Sequence, residues 1–343
     1  MKKLFTLFFV LVTTTVLWAH DFYINGIYYN ILTEKTNEVE VTFRGENYNS
    51  YINEYSDYTT IPATVTFSGT TYSVTGIGED AFNNCYDLTG VTIGNNVTSI
   101  GDNAFSGCRN LISIAIPESV TSIGDEAFSS CDGLMSVVIH NGVKTIGRAA
   151  FAYCSDLMSV TISNSVTNIG DNVFYGCPNL TSPVYNAHCF AYLPTSYQGA
   201  YTIPNGIKQI AGYAFWECYS LNSVTIPESV TSIGNGEFGF CSSLTSITSL
   251  AEVPPTLGNE YVFYNLPTSI TLYVPCKSLT AYQADAGWSY FTNIQCISEE
   301  DTAVDDIQTS TTNCQKIFRD GQLLIIRDGV EYNMQGVELL DND

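Results

Sequence analysis

Ile100 to Ser122 reads IGDNAFSGCRNLISIAIPESVTS, and Ile210 to Ser232 reads IAGYAFWECYSLNSVTIPESVTS. The second stretch repeats the Ala, Phe, Cys, Leu and closing I-P-E-S-V-T-S of the first. Working outward, Cys85, Cys108, Cys131, Cys154 and Cys177 fall 23 residues apart, and Cys218 to Cys241 keeps the same step. A fixed period of this length marks a solenoid. Units begin at Ile77, Ile100, Ile123, Ile146, Ile169, Ile210 and Ile233, and a shorter unit of 18 residues, Tyr192 to Gln209, completes residues 77–255.

Two apolar spacings coexist within a unit. Ala104, Cys108 and Leu111 recur at helical intervals, whereas Leu111, Ile114 and Ile116 lead into strand-like alternation. Each coil is therefore expected to be a short helical turn, a strand and a second extended segment. Gly101, Gly124, Gly147, Gly170 and Gly234 follow the leading Ile, where the chain needs a positive φ or a tight backbone approach. Asp102, Asp125 and Asp171 come next and are expected to cap the helical turn. A single coil cannot bury its apolar face, but coils stacked at ~4.8 Å can, and eight of them span roughly 40 Å.

The I-G-x-x-A-F-x-x-C-x-x-L-x-S-V-x-I-P-x-S-V-T-S unit resembles the BspA-like subfamily of leucine-rich repeats. The resemblance implies an α/β repeat fold, a right-handed leucine-rich-repeat solenoid with a parallel β-sheet. It also implies an extracellular role, as bacterial surface proteins that bind host matrix proteins or other cells. One stretch departs from the pattern. Pro183 occupies the strand position after Leu180, and no I-G-x-x-A-F element appears before Tyr201. A hairpin-like variant coil without its helical side is expected there, leaving a shallow notch on the convex side between the Ile169 and Ile210 units.

The ends differ in composition. Lys2 and Lys3 precede the apolar run Leu4 to Leu17, and Trp18-Ala19 precedes a polar switch, so residues 1–19 read as a secretory signal peptide cut after Ala19. Residues 20–76 form a tyrosine-rich β cap, with strands expected over 22–31, 39–43 and 64–74 and a turn at Ser68-Gly69. Residues 256–297 form the C-terminal cap: Ile270, Leu272 and Val274 alternate as a strand, Ser278 caps a short helix, and Trp288 and Phe291 close over the last coil. Residues 298–315 are an acidic linker. Residues 316–343 alternate around Asp320-Gly321 and Asp328-Gly329 as a small meander. That last string resembles short C-terminal modules of secreted bacterial proteins, some of whose longer relatives act as sorting signals.

Charge narrows the function. Twelve Lys+Arg against 34 Asp+Glu give a net charge of −22, which disfavours nucleic acid and polybasic membrane docking. No further segment is apolar enough to span a bilayer, so no transmembrane segment is expected in the mature chain. The ladder cysteines read as buried thiols, since Cβ atoms one coil apart sit slightly beyond disulfide range. Cys276 and Cys296 lie outside the ladder and can bridge. No metal-ligand clustering, nucleophile elbow or phosphate loop occurs, so no cofactor and no metal is expected.

The repeated functional candidate is the outward strand face. One row is Ser113, Ser136, Ser159, Ser223 and Ser246; the other includes Thr92, Ala115, Val138, Thr161, Thr225 and Thr248. The bland reading of these rows is β-propensity on a solvated sheet. The functional reading is a broad, nearly uncharged surface for protein–protein adhesion on a secreted, non-enzymatic protein at the surface of a Gram-negative bacterium. Its expected partners are extracellular or host matrix proteins, or other cells. The alternative is a polysaccharide-binding or structural surface module. A carbohydrate-active enzyme is a further rival, but it needs opposed carboxylates that the sequence does not place.

Overall fold

The computed structural model describes residues 20–33, 36–45, 53–259, 261–297, 314–319, 322–327 and 330–332. The leader lies outside the described residues. So does the acidic linker, except for Cys314 and Gln315, which begin a strand. The chain divides into two compact units, Met1–Gln295 and Cys296–Asp343. In the second, Cys314–Arg319, Gln322–Arg327 and Val330–Tyr332 form an antiparallel meander.

The first unit is the solenoid. Its longer strands include Leu88–Thr92, Ser113–Ala115, Ser136–Ile139, Ser159–Ile162, Leu221–Ile226 and Ser246–Ser249. They pair in parallel at the repeat step, as in Val91↔Ile114, Val137↔Val160 and Val224↔Ile247. A second parallel ladder runs through two-residue strands such as Ser99–Ile100, Ser122–Ile123 and Thr145–Ile146. At the N-terminal end, Phe22–Ile24, Ile27–Thr33 and Glu38–Thr42 pair antiparallel, and Glu38–Thr42 then pairs in parallel with Thr70–Ile77. That strand hands the cap over to the repeats.

The third side of each coil corrects the sequence reading. It holds no helix; among the described residues the α-helix is Leu279–Ala284, in the C-terminal cap. Instead the fourth and eighth residues of each 23-residue coil are left-handed: Asn103 (φ 53°) and Gly107 (φ 75°), Glu126 (φ 55°) and Ser130 (φ 57°), Asn172 (φ 60°) and Gly176 (φ 72°). The N–H of Ser106 turns back to the Asn103 carbonyl at 2.9 Å. Those of Phe105 and Gly107 donate across to Ala127 and Ser129 of the next coil, at 2.7 and 2.8 Å. A helix would close its bonds on itself. The turn segment instead adds a third set of bonds between coils.

The core is a set of side-chain columns. Phe82, Phe105, Phe128, Phe151 and Phe174 are buried and stack with centroids 4.8, 5.2, 5.1 and 5.8 Å apart. The ladder cysteines are buried and free. They are more than small hydrophobes. The thiols of Cys108, Cys131 and Cys241 each donate to the carbonyl of Phe82, Phe105 and Phe215, at 3.1 Å. Burial pushes the thiols of Cys85, Cys177 and Cys241 up to about 12. Cys276 and Cys296 are disulfide-bonded.

The glycine after the leading Ile serves close approach, with no positive φ. A Cβ on Gly124 would sit 2.6 Å from the Asp102 nitrogen and the Gly101 carbonyl carbon. The following Asp does not cap a helix either. Asp102 Oδ1 accepts the Asp125 N–H at 2.7 Å, and Asp125 Oδ1 accepts that of Arg148 at 2.6 Å, each reaching the next coil. Ser278 likewise makes no side-chain cap bond to the helix it precedes. Trp288 and Phe291 are buried at the C-terminal end, with the indole of Trp288 donating to the Pro255 carbonyl at 2.9 Å.

The variant coil is an antiparallel hairpin, Val184–Tyr185 with Cys189–Tyr192. The phenylalanine column breaks there: Tyr192 meets Phe174 edge-on at 6.5 Å, and a second column runs Phe190, Phe215, Phe238, Phe263. Side chains hold the two runs together. Buried Asn186 donates to the carbonyls of Ser163 (2.8 Å) and Val166 (2.9 Å) and accepts the N–H groups of His188 and Cys189, both at 2.8 Å. Gln209 donates to the Ile169 carbonyl at 2.9 Å, and Asp171 accepts the Gly212 N–H at 2.9 Å.

Candidate binding surface

Parallel pairing at one repeat step puts equivalent residues side by side. Ser113 lies beside Gly90, Ala115 beside Thr92, Ser159 beside Ser136 and Thr161 beside Val138. Ser246 lies beside Ser223 and Thr248 beside Thr225. Alternation turns Val91, Ile114, Val137 and Val224 inward and leaves these partners outward. Thr92, Ser113, Ala115, Ser136, Val138, Ser159 and Thr161 are exposed, whereas Ser223, Thr225, Ser246 and Thr248 are half-buried.

The candidate rows therefore form two tracts, one on each side of the hairpin, and are not one continuous face. Leu88–Thr92 with Ser113–Ala115 and Ser136–Ile139 with Ser159–Ile162 are two short sheets joined by the Met135 N–H to Ile112 O bond, and Gly199–Thr202 begins a further sheet beyond the hairpin, the second tract. At the N-terminal edge the ring of Tyr58 crosses the face. Its hydroxyl is 2.7 Å from Thr92 Oγ1, and it lies where a side chain on Gly90 would be.

A third row was not among the sequence candidates. Ile112, Met135 and Met158 occupy the same repeat position and are 51%, 46% and 56% exposed. Each follows a buried Leu and precedes an exposed Ser, so two neighbours point outward in succession and the strand alternation misses the first. Their backbones are linked coil to coil, Met135 N–H to Ile112 O at 3.3 Å and Met158 N–H to Met135 O at 3.0 Å. With Val138 (46% exposed) and Ala115 they make an apolar tract beside the serine row. The signal available in the sequence was an unbranched or apolar side chain at one fixed repeat position in three successive units.

The 23-residue register and the parallel columns now meet a direct comparison. The profile of the BspA type leucine rich repeat region matches residues 75–200 and 186–294, in six copies. The chain belongs to the BspA-type leucine-rich repeat family. Such chains form a family of bacterial surface-type repeat proteins, and the matched residues take in both tracts and nearly all of the C-terminal cap. Several solved structures are similar to this chain. A leucine-rich repeat protein of T. pallidum is 24% identical, with 65% of this chain and 90% of that chain covered and a TM-score of 0.46. One from Bacteroides ovatus is 21% identical over 81% of this chain and 100% of that chain, with a TM-score of 0.43. The pneumococcal vaccine antigen PcpA is 15% identical over 82% and 99%, with a TM-score of 0.41. No curated protein matches.

No group of three or more His, Cys, Asp or Glu is arranged to hold a metal among the described residues, and no described helix is long and apolar enough to cross a membrane. A groove of about 620 Å³ follows the glycine row and is floored by Gly101, Gly124 and Gly147 with Asp102 and Asp125 at its side. Those carboxylates are engaged by the backbone of the next coil.

Proposed function

We propose that this protein is an exported adhesin of a Gram-negative bacterial surface, acting by binding and not by catalysis. Its partners would be host matrix proteins or the surfaces of other cells. The binding tract is the strand face of the first four coils: Thr92, Ser113, Ala115, Ser136, Val138, Ser159 and Thr161. The observation that carries this reading is the apolar row of Ile112, Met135 and Met158 beside those residues. Three large apolar side chains stand exposed at one repeat position, whereas the Phe, Cys and Leu columns of the same coils are buried. Unbranched Met side chains suit a contact that must adapt to a partner's shape. The absence of charge on the two rows keeps the cost of covering them low, and weak identical contacts add over successive coils.

The test places Lys at Thr92, Val138 and Thr161 together and measures binding to a panel of immobilised matrix proteins alongside a thermal melt. These side chains point outward, so the melt should stay within a few degrees of wild type while binding falls more than tenfold. Unchanged melting with unchanged binding would remove the strand face as the site.

A further inference from the structure

The hairpin opens a cleft of about 180 Å³ on the turn side of the coils, away from the strand face, walled by Tyr153, Tyr175, Tyr213 and Trp216 with Glu217 at its edge. Three observations make this more than a gap. First, two of its rings stand on backbone that disfavours them. Tyr153 (φ 59°) and Tyr213 (φ 64°) are left-handed, at repeat positions filled elsewhere by Asn84, Gly107, Asn103 and Asn172. A bulky L-residue there is an outlier, whereas Gly and Asn take the conformation readily.

Second, the next coil makes room for each ring. A Cβ on Gly176 would come within 2.7 Å of the Tyr153 ring, and one on Gly236 within 2.8 Å of Tyr213. Gly239 lies likewise beneath Trp216. Third, the rings are set at steep angles to one another. Tyr153 and Tyr175 meet at 85° with centroids 5.4 Å apart, Tyr175 and Tyr213 at 66° and 6.5 Å, and Tyr213 and Trp216 at 49° and 4.8 Å. The row continues outward through Phe240, also left-handed at φ 61°, to Tyr264. Tyr153, Phe240 and Tyr264 are exposed.

We propose that this cleft and its aromatic row bind a neutral glycan, with one pyranose in the cleft and neighbouring sugars along the row. The faces of aromatic rings are electron-rich and meet apolar or weakly positive C–H surfaces. A pyranose presents such faces, edged by hydroxyls that both donate and accept. The cleft supplies both counterparts. The Glu217 carboxylate accepts. The Trp216 N–H is buried and faces the Tyr175 hydroxyl without a well-formed hydrogen bond. A hydroxylated ligand offers that N–H a better acceptor once Tyr175 shifts, which an ammonium ion cannot. The net charge of −22 disfavours sulfated or carboxylated glycans.

The experiment titrates the full chain with maltohexaose, cellohexaose, xylohexaose and mannohexaose by calorimetry, with choline chloride as the cationic control. At least one hexasaccharide should bind with a Kd below 1 mM, and choline should not. Tyr153→Asn and Tyr213→Asn restore residues that neighbouring coils use at the left-handed positions. Each should lower affinity at least tenfold with a melt equal to or above that of wild type. Flat titrations with all four sugars would overturn the proposal, as would choline binding in their place. A melt lowered by several degrees in either variant would assign the rings to the fold and overturn it as well. The strand-face lysine variant should keep its glycan affinity, so failure of this site and failure of the adhesion tract are told apart.

Discussion

Replacing Glu237 with Ala should stabilise this protein at neutral pH and flatten its pH dependence. Glu237 is fully buried, with no well-formed hydrogen bond to either carboxyl oxygen and the backbone of Ala214 and Phe215 beside it. It stands at the fifth position of its coil, which is Ala81, Ala104, Ala127, Ala150 and Ala214 in five of the other full units and Val173 in the sixth. Burial, with the Asp171 charge adding to it, raises its pKa well above the ordinary 4.5. The sign follows from proton binding. Above pH 4.5 the unfolded chain releases this proton while the folded chain keeps it, so stability is lost as pH rises, until the pH passes the folded pKa. The slope is about 1.4 kcal/mol per pH unit for one group, over the window between its unfolded and folded pKa. Burial raises Glu54 as well, to about 7, and that group contributes a slope of the same sign. The informative quantity is therefore the difference between wild type and Glu237→Ala. Urea unfolding at pH 5, 6, 7 and 8 should show the two curves diverging by about 1 kcal/mol or more per unit, with the variant above wild type at pH 8. Glu237→Gln should remove the same slope, since it keeps the shape and cannot ionise. Parallel curves, or an alanine variant weaker than wild type at pH 8, would refute the reasoning.

Cys85, Cys108, Cys131, Cys154 and Cys177 should resist alkylation in the native protein at pH 8 and react completely in denaturant without reductant; a disulfide between any two in a non-reducing digest would contradict this. Gly124→Ala should cost about 3 kcal/mol or prevent folding, because the new Cβ meets backbone of the previous coil that cannot move aside; a melt within a few degrees of wild type would show that the coils can separate. Asn186→Leu should cost about 4 kcal/mol, one for each of its four hydrogen bonds, and should split unfolding into two steps seen by hydrogen exchange, since Asn186 joins the two core columns.

The period was legible because apolar burial fixes one residue type per column: each of the seven full units supplies a Phe and a Cys at the same depth. The inward-facing strand positions were legible for the same reason, since Ile114 and Val137 can face only one way. The turn segment was not. Ala104, Cys108 and Leu111 are spaced four and three apart in a helix, but two successive left-handed turns give the same spacing. The discriminating signal was Asp80 and Asn84, Asn103 and Gly107, Asn172 and Gly176, residue types that tolerate positive φ at a fixed pair of positions. Tyr153, Tyr213 and Phe240 obscure it. The role of Asp102 and Asp125 was equally hidden, because a carboxylate that reaches the next coil and one that caps its own turn occupy the same place in the sequence. Of the candidate tract, the Ser and Thr rows followed from alternation, while Ile112, Met135 and Met158 did not, standing one residue before the alternation begins.

Departures from the repeat's own rules are unevenly distributed along the solenoid. In the units starting at Ile77, Ile100 and Ile123 the left-handed positions carry Asp, Asn, Gly, Glu or Ser, and the fifth position is Ala. From Ile146 onward come Tyr153, Tyr213 and Phe240 at left-handed positions, Glu237 in the core, and a hairpin in place of a turn. Each opposes folding locally, and nothing in the stacking of identical coils requires any of them. A sequence that specifies its fold consistently breaks its local rules at functional or strained sites. Here the exceptions include the walls of one cleft and the residues beneath its row. The regular N-terminal coils present a flat tract whose properties come from repetition. The irregular ones hold a shaped site that repetition alone cannot make, and they do so where Asn186, Gln209 and Asp171 replace the backbone ladder with side-chain bonds.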